Sequence, residues 1–251
     1  MKVKKLEEAQ RIQKEIYNRS CANGPFIGRV AELSYKRRIN FALRFMPESA
    51  SVLDFGCGDG TIANGILAKA KKVVALDVSD QAIKVAEEFN SHPNIKYLHT
   101  TIEGYTSEEK FDTILMFEII EHVFDPQSIF HKAGDLLKKE GTLVMSTPNF
   151  MRLTNRAKRL YGIRQIRKMM GKDPNRIGCD HFREYTYEEV KDMLDNAGFE
   201  VLRYEGAILW TDTIGGDLLR SVCWVQQLNF YLGSLVPRVA GHIFLAAGKR
   251  I

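Results

Sequence analysis

The sequence predicts an open, doubly wound α/β fold, and two observations carry that prediction. Between residues 50 and 148 short apolar runs alternate with helix-like segments, the pattern of βαβ units around a parallel sheet. Those runs are nearly continuous in Val, Ile and Leu, as strands buried on both faces must be. A chain of 251 residues is long enough to bury such a sheet without disulfide staples.

The first ~20 residues read as a polar helix, broken at "CANGP". In "ELSYKRRINFALRF", residues 32–45, Leu33, Ile39, Ala42 and Phe45 fall near one helical face, and Pro47 closes the helix. The first strand, "SVLDFG", runs into a glycine loop and the helix "TIANGILAKA". A second strand, "KVVALDV", precedes the helix "SDQAIKVAEEF", capped by Ser79 or Asp80. "IKYLHT" and "FDTILMF" are the third and fourth strands. "DPQSIFHKAGDLLKKEG" reads as a helix with proline in its first turn and glycine at its end, and "TLVMSTP" as the fifth strand. After Pro148 a basic stretch interrupts the rhythm as far as Cys179. A capped helix, "TYEEVKDMLDNAGF", a sixth strand, "EVLRYEGAI", and a last strand, "GHIFLAAGKR", complete the order. The expected organisation is an N-terminal helical segment over 1–48 and one domain over 49–251, with inserts at about 150–180 and 209–239.

Composition narrows the class. Apolar residues make up 45% and charged residues 27%, ordinary for a globular protein. Cys21, Cys57, Cys179 and Cys223 are scattered without a CxxC pair, which points to free thiols and a cytoplasmic setting. The first residues are charged and lack an apolar core, so no secretory leader is expected there. No uncharged run has membrane-spanning length; "SVCWVQQLNFYLGSLVP" comes nearest but carries polar residues and a proline. The net charge is +5. It is concentrated between residues 150 and 180, where nine Lys/Arg face two Asp.

The chemistry starts at residues 52–60, "VLDFGCGDG". In open α/β sheets ligands sit beyond the carboxyl ends of the strands, and glycine lets them approach the backbone. A dinucleotide fingerprint would need a glycine where Thr61 stands. Asp54, two positions before Gly56, suits a ligand with an ammonium and a sulfonium better than a pyrophosphate. Asp77 ends the second strand, where a carboxylate can take both hydroxyls of an adenosyl ribose.

Together these residues resemble class I S-adenosylmethionine-dependent methyltransferases. "VLDFGCGDG" is similar to their first motif, "VVALDVS" to their second, and "FDTILMFEIIEHV" and "GTLVMSTPN" to their fourth and fifth strand regions. The resemblance covers residues 50–207. It implies a Rossmann-like, seven-stranded, mostly parallel sheet with an antiparallel last strand, and S-adenosyl-L-methionine as cofactor. Asp54 is then expected near the methionine end, with Gly56, Cys57, Gly58 and Gly60 as a backbone cradle. Asp77 is expected on the ribose, Val78 and Ile102 beside the adenine, Glu103 on its amino group, and Phe117 in the cofactor wall.

Glu118, Glu121 and His122 form an ExxEH pattern after the fourth strand. In a helical turn they would share one face. Such a trio can hold a divalent metal such as Mg2+ or act without one as an acid–base group. Ubiquinone-biosynthesis O-methyltransferases carry a similar ExxEHV segment, and small-RNA 2′-O-methyltransferases pair ExxEH with a distant histidine. His181, in "CDHFREYT", is the distant candidate; His131 fits less well, inside a helix. Glu121, His122 and His181 are the candidate catalytic residues, and Glu118, Glu121, His122 and His181 the candidate metal ligands.

The acceptor is expected to be a hydroxyl on a small, amphiphilic or lipid-like molecule. The basic segment over 151–176 and the apolar 209–239, with Trp224, Phe230 and Tyr231, would meet an anionic group, a hydrophobic tail or a membrane periphery. Thin aromatic interleaving ranks nucleic acid lower. RNA or glycan hydroxyls and a non-catalytic cofactor-binding subunit stay open as alternatives.

Overall fold

A computed structural model describes residues 29–152, 183–207, 228 and 231–250. The N-terminal polar segment, most of the basic insert, His181 and most of the apolar insert, with Trp224 and Phe230, lie outside them.

In the described residues the elements follow in the order α1 (Arg29–Phe45), β1 (Ala50–Phe55), α2 (Thr61–Gly65), β2 (Ala70–Asp77), α3 (Asp80–Phe89), β3 (Ile95–His99), β4 (Phe111–Phe117), a 3-10 turn (Ile120–His122), α4 (Pro126–Leu136), β5 (Leu137–Pro148), α5 (Tyr187–Asn196), β6 (Phe199–Ala207), a second 3-10 turn (Pro237–Val239) and β7 (His242–Lys249). They form a seven-stranded sheet in the spatial order β3-β2-β1-β4-β5-β7-β6. Pairings among β1 to β5 are parallel, and β7 runs antiparallel to both β5 and β6. The doubly wound, mostly parallel sheet with an antiparallel last strand is therefore as expected. Among the described residues no helix is long and apolar enough to cross a membrane.

Strand residues alternate between two cores, as a period of two requires. Leu53, Phe55, Val74, Leu76, Ile114 and Met116 pack with α4 and α5. Val52, Val73, Ala75, Leu115 and Phe117 pack with α1, α2 and α3 on the opposite face. The caps are local and were readable. Ser79 Oγ accepts the Ala82 N–H at 3.0 Å, Asp125 accepts from Ser128, and Thr186 and Glu189 close a reciprocal capping box.

Two helices are shorter than the sequence suggests. The segment after Gly60 is helical only to Gly65, because the chain turns into β2 at Ala70. α4 ends at Leu136 rather than at Gly141, since Leu137 already pairs with Phe111 of β4. Tertiary pairing overrides helix propensity at both places.

Candidate active site

The glycine turn is pinned by its neighbours before any ligand arrives. The Gly56 and Cys57 N–H groups both donate to the Leu76 carbonyl, at 2.8 and 2.9 Å. The Gly58 N–H donates to Asp77 Oδ2 at 2.9 Å, and the Ser79 N–H to Asp77 Oδ1 at 2.8 Å. Asp77 thus ties the first strand–helix turn to the second while lining the cavity. Burial pushes its carboxyl up from the ordinary value, against those two N–H donors.

A cavity of about 250 Å³ opens at this turn. It crosses the carboxyl ends of β3, β2, β1 and β4, where the order of strands reverses around β1, the usual ligand position in such sheets. Asp77 and Val78 line it from β2, and Ile102 and Glu103 from the segment after β3. Gly56, Cys57 and Gly58 line it from the turn, and Phe117, Glu118 and His122 from the β4 side. Eight of the ten expected cofactor residues therefore share one cavity. A Cβ built on Gly58 meets nothing within 4 Å, so this glycine faces open space.

Asp54 and Gly60 are elsewhere. Asp54, expected near the methionine end, is only 2% exposed and is not among the residues that line the cavity. Its Oδ2 finds no hydrogen-bond partner among the described residues. Burial, then the charge of Asp77, pushes its pKa up to about 7. Gly60 is also outside the wall; its role is to cap α2 at φ 79°, against Tyr97 and Ala86.

The ExxEH segment does not form one helical face. Glu118 sits at φ 57° and only Ile120–His122 make a 3-10 turn, and the two carboxylates take different partners. Glu118 accepts from Ser146 Oγ at 2.5 Å and lies 3.4 Å from Arg38 Nη2 and 3.3 Å from His242 Nε2. Burial alone would raise its pKa, but His242 and Arg38 hold it well below the usual carboxylate range. Glu121 is fully buried and accepts from Thr147 Oγ1 at 2.9 Å. Burial and the Glu118 charge push Glu121 well up, towards the neutral acid. His122 lines the cavity, with Nε2 3.9 Å from Glu121 Oε1. Among the described residues no three His, Cys, Asp or Glu side chains are grouped to hold a metal ion. A carboxylate already engaged by Arg38 and His242, beside a second one fully buried on Thr147, is a poor fit for Mg2+. His131 is exposed and bonds Gln127.

The sequence does not mark the contribution of α1. Tyr35 and Arg38 of α1 line the cavity, and Tyr35 Oη donates to Asp59 Oδ2 at 3.3 Å. Nor does the sequence mark His242 and Ser146, whose partner Glu118 is remote along the chain. Local signals for these residues are weak, since their spacing within α1, β5 and β7 is that of ordinary helix and strand positions.

Comparison with known proteins places the family and the fold. A family model described as "Methyltransferase domain" matches residues 28–204. Among curated proteins, the ubiquinone biosynthesis O-methyltransferase of Rickettsia bellii is 29% identical over 161 residues, covering 62% of this chain and 64% of that protein. The chain thus spans just under two thirds of that relative's length. Among solved structures, a chain of the complex between the Haloferax volcanii Trm112 methyltransferase activator and its methyltransferase has a TM-score of 0.63 at 16% identity, covering 88% of this chain and 91% of that one. The N-methyltransferase NodS of Bradyrhizobium japonicum, solved with S-adenosyl-L-homocysteine, has a TM-score of 0.58 at 13% identity, covering 98% of both chains. At such identities the structural likeness speaks for the fold.

Proposed function

The chain belongs to the methyltransferase-domain family, and from that premise we propose that it transfers a methyl group from S-adenosyl-L-methionine to a hydroxyl of a small, amphiphilic or lipid-like acceptor. The observation that carries this reading is the cavity at the strand reversal, walled at one end by Asp77 and at the other by His122.

The residues present fit the cofactor. Asp77 keeps acceptor capacity on both oxygens for ribose hydroxyls, and the open space at Gly58 leaves room beside the backbone. Val78 and Ile102 offer apolar contact for a base. Arg38 is the guanidinium of the wall, suited to a carboxylate. When bound, S-adenosyl-L-methionine supplies an already activated methyl group, so the protein's task is alignment and proton removal. His122, at the β4 side of the cavity, accepts the acceptor's proton as general base. Burial and the Glu118 charge favour the neutral acid at Glu121 behind it. Oxygen as the methylated atom accords with the relatives' printed name, O-methyltransferase.

The test is methyl-labelled cofactor incubated with fractionated host extract, with and without EDTA, alongside calorimetry with S-adenosyl-L-homocysteine. Label in an organic-extractable fraction, unchanged by EDTA, is expected. His122→Asn should cut labelling by about 10²–10⁴ and leave product affinity within two-fold. Label in RNA or polysaccharide moves the acceptor to that class. EDTA sensitivity would return a metal to the ExxEH segment. Binding without any labelling would leave a non-catalytic cofactor-binding protein.

A further inference from the structure

Three guanidinium groups converge on one carboxylate at the edge of the sheet. Arg37 Nη2 lies 2.6 Å from Glu205 Oε2, while Arg44 Nη2 and Arg203 Nε lie 2.8 and 3.0 Å from Oε1. The Glu205 side chain is only 9% exposed. Burial alone would raise its pKa, but the hydrogen bond from Arg44, followed by Arg203 and Arg37, holds it low. One arginine is enough to neutralise a buried carboxylate; two charges remain. Among the described residues no second carboxylate lies within ion-pair distance of any of the three.

The cluster is held in place. The Arg44 guanidinium lies 5.0 and 5.4 Å from the ring centroids of Phe41 and Phe45, and that of Arg37 5.7 Å from Phe244. Arg203 is aimed by an irregularity in β6. The register with β7 shifts between Val201 and Arg203, which sets Arg203 opposite Ala246 and Glu205 opposite Phe244 on the α1 side of the sheet. Arg37 Nε is buried and finds no partner among the described residues. Arg44 and Arg203 are 47% and 57% exposed, so their remaining N–H donors are open to a ligand. Fixed guanidinium groups with donors to spare match the oxygens of a phosphate.

The cluster also adjoins the candidate active site. Phe244 is two residues along β7 from His242, about 7 Å by strand rise, and His242 bonds Glu118 of the cavity wall. Arg37 precedes Arg38, which lines that cavity. We propose that Arg37, Arg44 and Arg203 form a phosphate-binding site, and that the methyl acceptor carries a phosphate held there. The second half rests on the methyltransferase reading; the first does not.

Phenyl phosphate is titrated by calorimetry at constant ionic strength into the wild type and the Arg44→Gln/Arg203→Gln double variant. S-adenosyl-L-homocysteine is titrated in parallel. The double variant keeps the Arg37–Glu205 pair. Saturable phosphate binding by the wild type and a loss of ten-fold or more in the variant, with S-adenosyl-L-homocysteine affinity unchanged in it, is the expected result. Equal affinity in both proteins, or none in the wild type, overturns the site. Glu205→Gln removes the counter-charge and should tighten phenyl phosphate binding several-fold; unchanged or weaker binding counts against the site. Cosedimentation with phosphatidic acid vesicles that depends on Arg44 and Arg203 assigns the phosphate to a lipid headgroup. Phenyl phosphate binding without cosedimentation assigns it to a soluble ester. For the acceptor, labelled products that retain phosphate and fall ten-fold or more in the double variant are expected; products without phosphate overturn that half alone. Failure of the wild type to bind S-adenosyl-L-homocysteine would sink the methyltransferase reading while leaving the phosphate site standing.

Discussion

At the scale of single residues, the glycines of the turn have different reasons to be glycine. A Cβ on Gly60 would stand 2.4 Å from Tyr97 Oη and 3.0 Å from Ala86 Cβ, at φ 79°. A Cβ on Gly58, at φ 54°, meets no protein atom within 4 Å. Gly60 therefore answers to packing, and Gly58 to backbone conformation and to whatever fills the cavity. Gly60→Ala should lower stability in urea denaturation by about 2 kcal/mol or more, from left-handed strain plus the clash. Gly58→Ala should lose only about 1 kcal/mol of stability, yet weaken S-adenosyl-L-homocysteine binding ten-fold or more. If both variants lose stability equally and keep full affinity, the division is wrong. The sequence shows three glycines on alternate positions but not which of them faces a ligand, because that depends on Tyr97, far away on β3.

At the scale of elements, the strands were legible because each is an apolar run bounded by turn residues. The polar face of α1 was not. Leu33, Ile39, Ala42 and Phe45 mark its apolar side; of these only Ala42 is fully buried, and Phe41 carries more of the contact through Phe244. Tyr35, Arg37, Arg38 and Arg44 look in sequence like a solvated surface. Their partners Asp59, Glu118 and Glu205 are supplied by three other parts of the chain, with Arg37 and Glu205 separated by 168 positions. α1 is thus a strap from the glycine turn to the sheet edge, with two residues in the cavity wall. Filling the cavity should tighten it. Amide exchange across Arg29–Phe45 is expected to slow when S-adenosyl-L-homocysteine is added, and Arg38→Met should remove most of that protection. Unchanged exchange in α1 at saturating ligand would show that the helix is a bystander.

At the scale of the whole molecule, the insertion of β7 between β5 and β6 was not legible, since strand order is decided by long-range pairing rather than by any local run. The same packing creates a buried acidic layer beneath the strand ends that a residue-by-residue reading of ligands does not anticipate. Asp54 and Asp77 are both buried there, with Cys57 beside them, its thiol pushed up first by burial and then by the two carboxylates. Asp54 moves from 3.8 to about 7, so the folded protein holds this proton more tightly than the unfolded chain. A raised carboxyl contributes its stability below the unfolded value and loses it as pH rises through the folded one. Each pH unit in that window weights folding by about 1.4 kcal/mol, so ionising Asp54 removes stability on the order of 4 kcal/mol by neutral pH. Asp77 and Glu121, also raised, act in the same direction, while the lowered Glu118 and Glu205 act oppositely at more acid pH. Comparing wild type with Asp54→Asn isolates the one group. Between pH 5 and pH 7.5 the wild type should lose stability relative to the variant, read as converging or crossing urea-denaturation curves, and the difference should level off above pH 8. Parallel stability–pH curves for the two proteins would mean that Asp54 is already ionised in the fold at pH 5, stabilised by groups beyond those facing it here.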